Sequence, residues 1–334
     1  MNVLIIGGTG LISTAIAERL LADGHRVTLF NRGKAENRLP PAVEIITGDR
    51  SQRAAFETVF ADRRFDVAID MIAFHPDDCA STERALAGRV GQIIHCSTVC
   101  VYSGPVTQYP TTETEPFHAL GDYGRNKILC EQHWLKAHAE RQVPVTIMRP
   151  SHCYGDASGL IRPFGPHEVL IDRLRRRKPL IVNDGGNSLW AACHVDDVAR
   201  GFVAVMGKAH CLGQAYNICG EEAMTWNQYH EQVAEVGGGG FEPVYIPTDV
   251  LRRCAPTWAQ YTYEIFAWPS VFAMDKLTRD AGYAGQTIRW KDGVRRAVAW
   301  LEARGRIADS TKEPHEDRLI AAWRGKMAEL PTIP

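Results

Sequence analysis

Tyr123 and Lys127 stand four residues apart in Tyr-Gly-Arg-Asn-Lys, at the start of a segment with helical periodicity. Residues i and i+4 share a helix face, so the spacing predicts a phenol and an ammonium side by side. A neighbouring ammonium lowers a phenol pKa from ~10 toward neutrality, which makes a usable general acid or base. Upstream, Ser97-Thr98-Val99-Cys100-Val101-Tyr102 sets two hydroxyl side chains just after an apolar run.

A second constellation opens the chain. The apolar run 3–6 ends in Gly7-Gly8-Thr9-Gly10-Leu11-Ile12-Ser13, which fits G-x-G-x-x-G/A with Ser in the last place. It also fits the wider G-x-x-G-x-x-G spacing. Glycines allow a tight turn and let the backbone N–H groups of this stretch approach a pyrophosphate at a helix N-terminus. The context of strand before and amphipathic helix after is what this motif requires. The next apolar run ends in Asn31-Arg32-Gly33-Lys34. An acidic residue there would take the ribose 2′-hydroxyl and mark NAD. Neutral Asn31 and cationic Arg32 instead welcome a 2′-phosphate, which favours NADP over NAD. Gly48-Asp49-Arg50 closes the third run, where the Asp49 carboxylate can accept from an adenine amino group and Arg50 beside it is a further candidate for contacting the cofactor.

These side chains need a frame. Apolar runs at 3–6, 27–30, 43–46, 67–69, 93–96 and 145–148 read as strands, with helical segments at 51–60, 78–86 and 126–139. Strands alternating with helices predict a parallel, doubly wound Rossmann sheet of the α/β class. After Gly155 the rhythm breaks at Pro163, Pro166, Gly185 and Gly186. The expected division is a dinucleotide-binding domain over residues 1–155 and a smaller mixed α/β substrate lobe over 156–334, with 180–200 returning to the Rossmann sheet. Arg162 and the basic run 173–178 are candidates for meeting a diphosphate, against the plainer reading of a solvated helix face. His152, beside Ser151, is a further candidate for contacting substrate.

The 334 residues are 45% hydrophobic with a net charge of −1. Such a chain has ample core and no global field for nucleic acid or membrane. No apolar run reaches the ~20 residues that span a bilayer. No basic leader is read at the start, so a cytoplasmic protein is expected. The nine cysteines form no C-x-x-C pair and read as reduced thiols, not as metal ligands or a disulfide framework.

Taken together, the motifs resemble the extended short-chain dehydrogenases/reductases, the NAD-dependent epimerase/dehydratase family. The resemblance rests on the glycine turn, Asp49, Ser97-Thr98-x-x-Val-Tyr102, and Tyr123-Gly-x-x-Lys127 with Glu131. It continues through Arg149-Pro150-x-x-Cys-Tyr154-Gly155, His194-Val-Asp-Asp197 and Ala215-Tyr-Asn-Ile218, as far as about residue 302. It implies that Tyr123 is the catalytic acid/base, that Lys127 holds the nicotinamide ribose, and that Thr98, with Ser97 beside it, bonds the reacting oxygen. Pro150 and Ser151 would lie against the nicotinamide. The Asp70-Met71-Ile72-Ala73 segment departs from the common pattern after the fourth strand, at a cofactor-facing place. That departure and the Asn31 strand end resemble a divergent branch including proteins described as chloroplast stem-loop or mRNA binding. The resemblance further implies a homodimer paired through helices at 78–86 and 126–139, where Trp134 and Leu135 suit an interface or a core. The expected function is an NAD(P)-dependent oxidoreductase or epimerase acting on a hydroxyl-bearing carbon of a sugar nucleotide or related carbohydrate. Val99-Cys100 after Thr98, in place of an acidic pair, counts against dehydration. The competing reading is a nucleic-acid-binding or redox-sensing protein that uses the fold as a scaffold. The intact Thr98/Tyr123/Lys127 set argues against that reading.

Overall fold

Val3 to Ile6 are all fully buried, and the side chains of this strand alternate between two apolar cores. Val3 and Ile5 pack with Ile16 and Leu20, whereas Leu4 and Ile6 pack with Phe30, Phe56 and Phe60. A strand buried on both faces belongs inside a parallel sheet. The computed structural model, which describes residues 1–34, 38–41, 43–156 and 160–333, places it there. The sheet comprises β1 (Asn2–Ile6), β2 (Arg26–Asn31), β3 (Glu44–Thr47), β4 (Phe65–Asp70), β5 (Val90–Cys96), β6 (Val145–Pro150) and the strand Ala215–Ile218. Their order is Ala215–Ile218, β6, β5, β4, β1, β2, β3. Every neighbouring pair is parallel. This is the Rossmann-type α/β fold. Strand order reverses between β1 and β4, so a crevice opens at their carboxyl ends.

The helices α1 (Leu11–Ala22), α2 (Arg53–Thr58), α3 (Pro76–Leu86) and α4 (Asp122–Arg141) follow in chain order. The third strand begins at Glu44, one residue later than the apolar run suggests, and α2 is shorter than expected. By contrast, α4 starts four residues earlier than its apolar periodicity, so Tyr123 stands in its first turn. Gly124 explains how that turn fits. A Cβ there would lie 2.4 Å from the Cys100 carbonyl oxygen and 2.8 Å from the Ala119 Cβ.

Two units divide the chain. The first comprises Met1–Cys153, Ala192–Glu221 and Val271–Ile288. The second comprises Tyr154–Ala191, Glu222–Ser270 and the chain from Arg289 onward. In the second, Leu180–Asn183 pairs in parallel with Pro243–Ile246. Segment 180–200 therefore gives no strand to the large sheet, because its longest strand has its partner elsewhere. Trp190 stacks on Trp226 at 4.7 Å between ring centroids. The buried Trp226 indole N–H donates to the Phe266 carbonyl at 2.9 Å.

The same unit corrects the expectation for Arg162 and the basic run. Arg162 is fully buried and ion-paired with Glu316. Arg173 pairs with Glu316 at 3.1 Å and Asp317 at 2.7 Å, and Lys178 pairs with Asp317 at 2.8 Å. Arg176 pairs with Asp172 at 2.8 Å. Cations that are desolvated must be matched by acids. Glu316 and Asp317 come from the helix His315–Ala328, so Arg162, Arg173 and Lys178 hold chain segments together, whereas Arg175, Arg176 and Arg177 stay exposed on the solvated face. No helix among the described residues is long and apolar enough to cross a membrane.

The contact at Gly124 makes a quantitative expectation. Gly124→Ala drives a methyl group into backbone that cannot yield, and overpacking of this kind costs about 1–3 kcal/mol. Gly325→Ala, in a helix with nothing within 4 Å of the added Cβ, gains up to about 1 kcal/mol from helix propensity. Urea unfolding midpoints of the two variants should move in opposite directions.

Candidate active site

The carboxyl ends of β1, β4, β5 and β6 frame a cleft of about 400 Å³. One wall is the glycine turn, with Gly7, Gly10, Leu11, Ile12 and Ser13. Met71 and Ile72, past β4, form a second side. The other walls are Cys96, Ser97, Thr98, Tyr123 and Lys127, and then Pro150, Ser151, His152 and Cys153. Five sequence segments, each more than twenty residues from the next, thus meet because parallel strands all end on the same side.

The turn is built to leave room. Gly7 has φ +88°, a left-handed backbone that favours glycine. A Cβ on Gly8 would lie 2.5 Å from Leu29 Cδ2, so Gly8 serves packing against β2 and does not line the cleft. Gly10 takes the N-cap place of α1 in extended conformation. Ser13 Oγ accepts from the Gly10 N–H at 2.8 Å, and Thr14 Oγ1 donates to the Gly10 carbonyl at 2.7 Å. A Cβ on Gly10 would meet only Ser13 Oγ, at 3.3 Å. The space a side chain would fill is therefore open in front of the first N–H groups of α1, where the helix dipole favours an anion. These residues fit the pyrophosphate of a dinucleotide. Thr9 is half-buried beside the turn.

Lys127 is buried, and its Nζ donates to the Ala73 carbonyl at 2.8 Å and the Cys96 carbonyl at 2.7 Å. It also lies 4.8 Å from the centroid of Phe74. Ala73 itself is fully buried and acts through its carbonyl, outside the cleft lining. Thr98 caps the short helix Val99–Tyr102, accepting from the Cys100 N–H at 3.1 Å. Tyr123 is 42% exposed as a residue, yet its phenol end faces the cleft beside Thr98. The expected lowering of its pKa by Lys127 is absent. Burial pushes the phenol above its usual value, the nearby Cys100 and Cys96 add to the rise, and the Thr98 hydrogen bond works against it. The ammonium is directed at two backbone carbonyls, and the phenol remains a proton donor at neutral pH.

Beneath the cleft lies a buried polar network. Ser97 Oγ donates to Glu131. Arg149 grips the same carboxylate, with Nε at 3.0 and 3.1 Å and a second nitrogen at 2.5 Å. Arg149 also reaches the Tyr102 hydroxyl, and the guanidinium lies 5.1 Å from the Tyr102 ring centroid. Ser97, expected near substrate, lines the cleft with its proton already committed to Glu131.

The outer cofactor positions separate. Asn31 Oδ1 accepts from the Gly33 N–H at 2.8 Å, closing the turn after β2. Asp49 accepts from the Ser51 N–H at 2.9 Å and hydroxyl at 2.8 Å. Those two bonds hold its carboxyl below the usual range, and Arg32 and Lys34 act in the same direction. Arg32 and Lys34 thus lie near Asp49 at the ends of β2 and β3. Arg50 does not join them. Its guanidinium is buried, bonding Asp70 at 2.8 Å, Thr82 at 2.9 Å and the Asp78 carbonyl at 2.8 Å. A fully buried Asp70 requires that cation, which removes Arg50 from any ligand surface. Sequence reasoning gave no site role to Cys96 and Cys153, which line the cleft. Cys96 precedes the Ser97-Thr98 motif and Cys153 stands inside the 149–155 motif, and that adjacency was the available signal.

Fold and cleft define a Rossmann-type α/β enzyme with a glycine turn on its first strand. The chain belongs to the NAD dependent epimerase/dehydratase family, whose model matches residues 3–219. It is similar to 2'-dehydrokanamycin reductase of Streptomyces kanamyceticus, with 25% identity over 310 residues, covering 93% of this chain and 87% of that protein. It is also similar to the chloroplast stem-loop binding protein of 41 kDa b of Arabidopsis thaliana, 27% identical over 251 residues, 71% of this chain and 63% of that protein. Among solved structures, UDP-glucose 4-epimerase of Thermotoga maritima with UDP-glucose superimposes with a TM-score of 0.74 at 21% identity. That match covers 91% of this chain and 99% of that one.

The Arg149–Glu131 pair is the testable constraint of this site. Arg149→Met leaves a buried carboxylate without its cation and should cost about 3–5 kcal/mol in denaturant unfolding. Adding Glu131→Leu should recover more than half of that loss. Additive single losses would show that the pair does not couple.

Proposed function

We propose that this chain is an NADP-preferring oxidoreductase or epimerase that acts on a hydroxyl-bearing carbon of a sugar nucleotide or related carbohydrate. The observation that carries this reading is the convergence of Tyr123, Thr98 and Lys127 on one cleft whose opposite wall is the glycine turn. A nicotinamide, when bound, supplies or accepts the hydride. The chain's own residues manage the proton and the geometry. Burial keeps the Tyr123 phenol protonated, which suits donation to a carbonyl oxygen in the reductive direction. Thr98 offers its hydroxyl to the same oxygen, and Lys127 is held in place by two carbonyls at the cleft floor. Val99 and Cys100 place no acid beside Thr98, which disfavours elimination. His152 and Ser151 line the same cleft as candidate substrate and nicotinamide contacts. The 2'-dehydrokanamycin reductase relative supports a carbohydrate-like substrate. A cytoplasmic homodimer remains part of the reading; Trp134 is fully buried in the core and contributes nothing to a dimer surface. The stem-loop binding relative supports a scaffold as the second reading.

A panel of nucleotide sugars and amino sugars, followed by absorbance of the reduced cofactor, should identify turnover. Tyr123→Phe is then expected to lose ~10²–10⁴ in rate with cofactor affinity little changed. Lys127→Met, which keeps the buried stem, should lose both. Wild-type turnover by Tyr123→Phe across pH would favour the scaffold.

Cofactor choice has its own test. Arg32→Ala should weaken NADP in calorimetry and leave NAD unchanged. Asn31→Asp keeps the acceptor for the Gly33 N–H and should shift preference toward NAD. Tighter binding of NAD than NADP by the unaltered protein would reverse the assignment.

A further inference from the structure

Three side chains that the proposed chemistry does not use meet in the core beneath the cleft. Cys79 comes from α3, His95 from β5 and Cys130 from α4. All three are buried, and one ligand atom from each lies within 4.8 Å of the others. The two thiols are within hydrogen-bonding reach of one another. Both ring nitrogens of His95 are buried with no hydrogen-bond partner. An imidazole ordinarily finds a partner for at least one nitrogen when buried, since an unmade bond costs the full desolvation of the group.

We propose that Cys79, His95 and Cys130 form a binding site for one thiophilic divalent cation, with Zn²⁺ as the fitting ion. Two thiols and one imidazole are a donor set that zinc accepts, with a fourth position left over. Ligand distances of about 2.3 Å to sulfur and about 2.0–2.1 Å to nitrogen place donor atoms roughly 3.5–4 Å apart. Donor atoms within 4.8 Å of one another therefore need to close by no more than roughly 1.3 Å to reach that spacing. Binding breaks two S–H bonds, releases two protons to solvent and forms two S–Zn bonds and one N–Zn bond, with no change of oxidation state. Two thiolates neutralise a divalent ion, which suits an apolar core that penalises net charge. The ion would tie α3 and α4 to β5. His95 adjoins Cys96, whose carbonyl holds Lys127, and Cys130 stands three residues after Lys127 on α4. The site thus braces the cleft floor from below.

The test uses the full-length protein, stripped with chelator and kept reduced with a phosphine. Titration with Cd²⁺ should saturate at one equivalent with a thiolate-to-metal charge-transfer absorbance. Zn²⁺ should release about two protons per ion and raise the thermal midpoint. X-ray absorption of the Zn²⁺-loaded protein should show two sulfurs and one imidazole nitrogen. Cys79→Ser and Cys130→Ser should each abolish the absorbance, whereas Cys254→Ser, at an exposed thiol, should leave it. A first shell without two sulfurs overturns the proposal, as does binding that survives Cys79→Ser. If a core variant fails to fold, the wild-type absorption spectrum decides alone.

Discussion

Arg149 and Glu131 are both almost entirely removed from water, on β6 and α4 respectively. Neither charge can be buried alone, so the pair fixes one position of α4 against the end of β6. Ser97, at the end of β5, donates into the same carboxylate, and Tyr102 holds the far side of the guanidinium. This network therefore sets how α4 crosses three segments at once. Tyr123 and Lys127 ride on that helix, and their places in the cleft follow from it. Gly124 completes the constraint by letting the first turn of α4 approach the Cys100 carbonyl.

A second buried cluster does the same work on the other side of the cleft. Asp70 ends β4 and accepts from Arg50, Thr82 and the Ile72 N–H. It anchors the segment from which Met71 and Ile72 face the cleft and from which the Ala73 carbonyl holds Lys127. In the second unit, Arg162 and Arg173 repeat the strategy with Glu316. Each arrangement trades a large desolvation cost for a specified geometry, a use of buried charge that suits an active site more than it suits raw stability.

The chemistry at the cleft then turns on the phenol. Its environment favours the protonated form, since burial outweighs the Thr98 hydrogen bond. Such a group is ready to donate. The ammonium of Lys127 is oriented by carbonyls and is not aimed at the phenol. Spacing on a helix placed the two side chains on neighbouring positions, but the direction of the ammonium was decided by acceptors on other strands.

The residue order alone determined the parallel sheet, the glycine turn, and the company of Thr98, Tyr123 and Lys127. The first two are local, in apolar runs alternating with helical periodicity and in a strand-turn-helix junction, and the third follows from the family resemblance of the motifs. What the tertiary structure decided depended on long-range partners. Arg162 and Arg50 read as ligand-facing cations until their acids, Glu316 and Asp70, came from 154 and 20 residues away. Segment 180–200 read as returning to the large sheet, whereas Leu180–Asn183 pairs with Pro243–Ile246 and the chain rejoins the first unit only from Ala192. Cys79, His95 and Cys130 carry no spacing signal, because two helices and a strand bring them together. Periodicity reports which face of an element is apolar, whereas only packing reports which charge or donor lies opposite it.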